Sequence, residues 1–166
     1  IVWDNRIFLT TAAEDGSGRS VLCFQRSDGK MLWQTAVPSA PAEKLYAKNS
    51  YASASVSTDG KLVYAYFGNA GLVALDFNGK LVWHVSFGTI TLYHGPGGSP
   101  LLYRDRLILF QEQRLMDRSI PTDPGFMVLT ISSVTSTGAL RPGIRAVVMT
   151  MSCFLMVSAI KAACLA

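Results

Sequence analysis

Short apolar segments separated by polar turns occupy the first 118 residues of the chain. Three of them begin with a polar turn and one cation and continue with β-branched and aromatic residues, at 6–11, 61–67 and 106–110. A second set of apolar segments lies at 20–25, 71–76 and 125–130. Such residues favour half-buried strands, and no convincing helical period is present. The pattern predicts an all-β fold for this part of the chain.

A six-residue motif occurs twice, 50 residues apart, as Asp-Gly-Lys-Met-Leu-Trp at 28–33 and Asn-Gly-Lys-Leu-Val-Trp at 78–83. In each copy a tight turn follows one strand and leads into another strand that ends in Trp. Asp-Gly and Asn-Gly provide the positive φ angles that a two-residue hairpin requires. A repeat period near 50 is typical of propeller blades, and we expect the units to be connected through 38–43 and 94–100.

The composition changes after about residue 130. Residues 1–118 contain 22 charged side chains, whereas residues 119–166 contain four, and the third unit lacks a Gly-Lys-x-x-Trp. An uncharged run of 15 residues at 146–160 is shorter than the roughly 18–20 residues that span a bilayer. Three interpretations of the tail stay open: a divergent or non-native segment, as after a change of reading frame, a buried apolar helix or strand, and a membrane anchor.

Composition and charge narrow the class of protein further. Hydrophobic residues make up 49% of the 166 residues, so a folded core is expected rather than disorder. The net charge of +4 comes from scattered Lys and Arg, and without a basic cluster we expect no nucleic-acid binding. Cys23, Cys153 and Cys164 show neither a Cys-x-x-Cys nor a zinc spacing. The chain begins Ile-Val-Trp, which indicates a fragment or a processed product.

Three polar features are better explained by structure than by chemistry. Glu14 and Asp15 are adjacent carboxylates in a Gly/Ser segment typical of a hairpin tip. The Gly-rich run after His94 has neither a G-x-S-x-G nor a P-loop pattern. His84 is expected at a sheet edge, and two His residues do not make a zinc site. We therefore predict no catalytic, cofactor-binding or metal-binding residues.

The segment from Leu72 to Trp83 resembles the PQQ-like, or quinoprotein-type, β-propeller repeat. That repeat has a Leu-Asp, a Thr-Gly-Lys-type turn and a Trp that packs between neighbouring blades. The positions that match it are Leu75, Asp76, Gly79, Lys80 and Trp83 in one copy and Gly29, Lys30 and Trp33 in the other, where Gln25 replaces Asp. Leu129-Thr130 begins a third copy. Among members of the family, the chain is most similar to BamB-like bacterial PQQ-binding-like repeat proteins.

This resemblance implies a partial β-propeller over residues 1–130, with two blades and part of a third, followed by a divergent apolar tail at 131–166. Each blade would be a four-stranded antiparallel sheet. The eight matching positions would be structural, and the two Trp residues would pack blade against blade. Asp76 would hold the turn that follows it rather than act as a base.

The resemblance also implies a function and a location. We expect a non-catalytic repeat scaffold for a protein or ligand partner, in outer-membrane protein assembly and in the periplasm or another extracytoplasmic space of a bacterium. One alternative is a fragment of a PQQ-dependent quinoprotein dehydrogenase, the only interpretation that requires PQQ and calcium. Another is an extracytoplasmic sensor or binding domain.

The open ends of a short repeat array predict self-association. Uncapped repeats expose apolar faces and edge strands, so we expect the isolated chain to pair with copies of itself. Membrane association is expected only through residues 146–160.

Overall fold

A computed structural model of the chain describes residues 1–89, 95–103, 106–113, 125–132 and 144–149. These residues form twelve β-strands in three four-stranded antiparallel sheets, with one 3₁₀ turn at Gly68–Ala70. In each sheet the four strands are neighbours in the same order as in the sequence. The prediction of an all-β chain built from four-stranded antiparallel units is therefore confirmed.

Each sheet consists of a short first strand followed by three longer strands. The first contains β1 (Val2–Trp3), β2 (Arg6–Thr11), β3 (Ser20–Gln25) and β4 (Met31–Ala36). The second contains β5 (Ser57–Thr58), β6 (Leu62–Tyr66), β7 (Leu72–Asp76) and β8 (Leu81–Val85). The third contains β9 (Leu101–Tyr103), β10 (Arg106–Gln113), β11 (Gly125–Ser132) and β12 (Ile144–Met149). The sequence predicted β2, β3, β6, β7, β10 and β11 and the strands that carry Trp33 and Trp83, but it did not predict the short first strand of each sheet.

The third sheet has its fourth strand in the segment assigned to the tail. β12 pairs with β11, with Leu129 opposite Ala146. A Gly-Lys-x-x-Trp motif is therefore not required for this strand to form. Residues 150–160, most of the uncharged run, lie outside the described residues, and the interpretations of the tail stay predictions. Within the described ranges, no helix has both the length and the hydrophobicity needed to cross a membrane.

The second sheet lies between the other two and is buried on both faces. Successive side chains of a strand point to opposite faces, so Val63 and Ala65 of β6 join a core cluster with Phe8 of the first sheet. Tyr64 of the same strand joins a second cluster with Leu107 of the third sheet. The three sheets therefore stack face to face, as blades do.

Two details of the repeated motif differ from the prediction. Trp33 and Trp83 lie in the middle of β4 and β8 rather than at the strand ends. The turns are also longer than two residues, with 26–30 between β3 and β4 and 77–80 between β7 and β8. In both turns only the glycine has a positive φ, whereas a two-residue type I′ turn requires it at both central positions. A register shift in each hairpin accommodates the extra residues.

Candidate functional site

The Trp of the first motif copy packs on the turn of the second copy. The Trp33 indole N–H donates to the Phe77 carbonyl at 2.9 Å, and the Thr35 hydroxyl donates to the Gly79 carbonyl at 2.6 Å. A Cβ on Gly79 would lie 2.7 Å from Trp33 Cδ2, so a residue without a side chain is needed for this approach. The two copies of the motif meet at the boundary between the first and second sheets.

The turn that receives Trp33 is held by its own side chain and by glycine. Asp76 Oδ1 accepts the backbone N–H groups of Asn78 and Lys80 at 2.8 and 2.9 Å, which is the geometry by which Asx residues stabilise turns. Gly79 has a φ of +84°, a conformation that side chains disfavour. The turn is therefore a rigid platform for the indole.

The turn of the first copy is built differently. Asp28 Oδ1 accepts the Lys30 N–H at 3.0 Å, and the Gln25 amide, at the position that corresponds to Asp76, donates to Ser27 Oγ at 2.9 Å. Gly29 has a φ of +72°, but no atom lies within 4 Å of where its Cβ would be. This turn is exposed, as are Lys30 and Lys80. The glycine is needed here for its backbone conformation alone.

Trp83 lies at the other boundary, between the second and third sheets. Its residue is 8% exposed, and its ring centroid lies 5.9 Å from that of Tyr64. Leu75 is buried on the opposite face, in the cluster against which Trp33 packs. The structure thus places one Trp at each sheet boundary and does not bring the two together.

A cleft of about 520 Å³ opens beside the Trp33 boundary, among the turns of the first two sheets. Its walls are formed by Trp3, Asp4, Asn5, Arg6, Gln25, Leu32, Gly60 and Phe77. The Trp3 indole lies so close to Gly60 that a Cβ there would be 2.8 Å from Trp3 Cζ2. No local motif predicts this site, because Trp3 at the end of β1, Gly60 and Phe77 lie far apart in the chain.

Arg6 joins the two sheets at the edge of this cleft. Its Nη1 group donates to the Phe77 carbonyl, and its Cζ lies 5.5 Å from the centroid of the Phe77 ring. In the part of the chain that the structure describes, no carboxylate oxygen lies within 4 Å of its nitrogens. Burial raises the pKa of the neighbouring Cys23 thiol, and the positive charge of Arg6 only partly offsets this. Cys23 is therefore a core residue whose burial disfavours the thiolate.

A buried ion pair lies at the opposite end of the sheets. Arg19 Nη2 donates to Glu43 Oε2 at 2.6 Å, and the two side chains are 3% and 1% exposed. The Arg19 guanidinium lies 4.9 Å from the centre of the Tyr51 ring, whose hydroxyl donates to the Glu43 carbonyl at 3.0 Å. The pair ties the β2–β3 loop to the β4–β5 connection. The sequence offered no signal for it, since the two residues are 24 positions apart in irregular segments.

Two other polar residues, Asp59 and His84, each have their own local hydrogen-bond partners. Asp59 accepts the backbone N–H groups of Lys61 and Leu62 and the hydroxyl of Tyr64. Burial disfavours the Asp59 carboxylate, but these hydrogen bonds outweigh it and lower its pKa. His84 Nε2 lies 2.8 Å from the Ala70 carbonyl oxygen. His94 lies outside the described residues.

Across the ranges that the structure describes, no three His, Cys, Asp or Glu side chains come together to hold a metal, and calcium takes six to eight oxygen ligands. These residues therefore do not form a calcium site. Among them, Arg19 Nε, Arg19 Nη1 and Glu43 Oε1 have no hydrogen-bond partner, but each is covered by protein.

Comparison with known proteins supports the fold. No family model matches the chain, and no curated protein sequence matches it. Among solved structures, it is similar to a europium-containing methanol dehydrogenase, with a TM-score of 0.54 and 15% sequence identity. The match covers 79% of this chain and 22% of that one.

The likeness to the dehydrogenase shows fold alone. Together with the three stacked four-stranded sheets, it confirms the all-β, partial β-propeller fold that the sequence predicts. The chain spans about a fifth of the length of its structural relative. At this identity no activity carries over from the relative to this chain.

Proposed function

We propose that this chain is a non-catalytic PQQ-like β-propeller repeat scaffold that binds a protein or ligand partner. The observation that carries this proposal is the docking of Trp33 on the 77–80 turn. The polar atom of the indole is used by the Phe77 carbonyl, and Asp76 is used by its own turn. The repeated motif therefore serves blade packing, and binding is left to the surfaces between the blades.

The scaffold's place in the cell follows from the sequence resemblance. We propose a periplasmic or other extracytoplasmic location in a bacterium and a role in outer-membrane protein assembly. The test is a pull-down of purified outer-membrane assembly components on the immobilised chain. Concentration-dependent capture that is lost in Trp33→Ala and retained in Lys30→Ala supports the scaffold. Absence of capture by a folded chain contradicts this role and favours the sensor or binding domain.

The similarity to a europium-containing methanol dehydrogenase favours a second candidate, a fragment of a quinoprotein dehydrogenase. Its test is the addition of PQQ with Ca²⁺, and in parallel with Eu³⁺, followed by absorbance and by dye reduction with methanol. The scaffold proposal expects neither an absorbance change nor dye reduction. Methanol-dependent dye reduction that requires both quinone and metal would establish the dehydrogenase instead.

A further inference from the structure

The cleft beside the Trp33 boundary has the features of a small-ligand site. We propose that it binds a neutral carbohydrate the size of a mono- or disaccharide, an inference that rests on the scaffold's proposed role in ligand binding. Its volume of about 520 Å³ lies within the roughly 300–1,000 Å³ of typical ligand pockets. None of the residues that line it was a candidate for catalysis or metal binding in the sequence.

The charges in the cleft favour a neutral ligand. Asp4 and Arg6 both line it, and their formal charges cancel. The wall therefore carries no net formal charge and does not attract a ligand of either sign over a neutral one. A polar ligand without charge suits this wall best.

The polar groups in the cleft suit hydroxyl groups. Asp4, Asn5, Arg6 and Gln25 present planar side chains with both donors and acceptors. The amide nitrogen of Gln25 donates to Ser27, which leaves its carbonyl oxygen as an acceptor. A hydroxyl group both donates and accepts, and neighbouring hydroxyls on a sugar ring can pair with such planar groups two at a time.

An aromatic surface completes the site. Trp3 is 43% exposed, and its indole is held in place against Gly60. Leu32 adds a second apolar surface that is 41% exposed. A fixed indole offers an apolar face at low entropic cost, which matches the C–H face of a pyranose. The cleft therefore combines one stacking surface with several hydrogen-bonding groups.

The experiment is a titration of the full chain with glucose, galactose, mannose, maltose and cellobiose, followed by tryptophan fluorescence and calorimetry. We expect saturable binding of at least one sugar, with an affinity that does not change with salt, because a neutral ligand is not screened. Trp3→Ala and Asn5→Ala should each weaken binding about tenfold, the loss expected for one stacking contact or one hydrogen bond.

Two further variants make the titration specific to the cleft. Trp3→Tyr should retain most of the affinity, because it keeps an aromatic face. Tyr46→Ala removes an aromatic residue that is 47% exposed and lies outside the cleft, and it should leave binding unchanged. Far-UV circular dichroism confirms that each variant is folded.

The outcomes separate this proposal from the scaffold proposal. Absence of binding by a folded wild-type chain overturns it, as does binding that Trp3→Ala leaves intact or that falls steeply with salt. The titration contains no quinone, metal or protein partner. Dye reduction therefore contradicts the scaffold and a failed pull-down contradicts its role in outer-membrane assembly, whereas failure of the sugar titration contradicts only the cleft.

Discussion

The first and second sheets have the same strand order but opposite surroundings. All five residues of β6 in the second sheet are buried, whereas of the six residues of β2 in the first sheet only Phe8 is. Among the described residues, the second sheet has a neighbouring sheet on each face, and the first has a neighbour on one face. In repeat proteins stability is the sum of each unit and its contacts with its neighbours. Equivalent residues in two blades therefore differ in how much they stabilise the chain.

The largest expected difference between the two sheets comes from making the same substitution, Leu to Ala, in each of them. Leu72 in β7 is fully buried, whereas Leu9 in β2 is 46% exposed. Leu72→Ala should lower the free energy of unfolding by about 2–5 kcal/mol because it leaves a cavity, and Leu9→Ala should change it by less than about 0.5 kcal/mol. Urea denaturation measures both. Equal losses would show that the outer face of the first sheet is covered.

A second pair of variants tests the docking of Trp33. Gly29→Ala and Gly79→Ala both place a side chain at positive φ, which costs about 1–2 kcal/mol. Only at Gly79 would the new Cβ also collide with Trp33 and Thr35, and overpacking of this kind adds about 1–3 kcal/mol. We expect Gly79→Ala alone to shift the tryptophan emission. Indistinguishable melting curves for the two variants would contradict the docking.

Substitutions of Thr35 and Thr11, which lie on opposite faces of the first sheet, should give a smaller difference in stability. The Thr35 hydroxyl donates to the Gly79 carbonyl of the second sheet, whereas Thr11 makes no side-chain hydrogen bond in the described structure. Thr35→Val should cost about 1 kcal/mol, the usual loss for one hydrogen bond. Thr11→Val should be close to neutral, and chemical denaturation measures the difference. A larger loss at Thr11 would be inconsistent with an uncovered face.

The β5–β6 turn of the second sheet predicts a pH dependence. The pKa of Asp59 is lower in the folded chain, since its hydrogen bonds outweigh the effect of burial. Its stabilising contribution is complete above the unfolded pKa of about 3.9 and is lost as the pH falls through the folded value. Thermal melts between pH 7 and pH 2 should show this loss, and Asp59→Asn should reduce it. An identical acid limb in the variant would exclude Asp59 as its source.

Among the described residues, nothing covers the face of the first sheet that carries Leu9. We expect this face to contribute little to folding stability and to favour association between chains. Leu9 and Met31 are 46% and 51% exposed, and exposed apolar surfaces of this kind favour association between chains. We expect sedimentation velocity to show concentration-dependent oligomers of the wild type. Leu9→Lys should shift them toward monomer with little change in stability. A monomeric wild type at every concentration would contradict the prediction.

The sequence predicted the strands that carry a strong local signal. The β-branched, aromatic and turn residues around β2, β3, β6 and β7 were sufficient to place them, because such preferences act over neighbouring residues. The strands β1, β5 and β9 have two or three residues. Segments this short carry no detectable period, so they are defined by hydrogen bonds to a longer neighbour.

The eight repeat positions could also be identified from the sequence, but the residues that they contact could not. The motif predicted that Trp33 and Trp83 pack between blades, and the structure places one at each boundary. That Trp33 packs on Gly79, 46 residues later in the chain, depends on the angle at which the sheets stack. The buried Arg19–Glu43 pair and the cleft around Trp3 arise in the same way, from loops that only stacking brings together.

The sequence by itself therefore determined the all-β class and the repeat, because these follow from local turn chemistry and from the preference of β-branched and aromatic residues for strands. The tertiary structure decided which faces are covered, where the ion pair is buried and where a ligand-sized cleft opens. These properties depend on contacts between residues far apart in the chain. The repeated motif specifies a four-stranded sheet, and the sheets packed against it determine what each copy of the motif contacts.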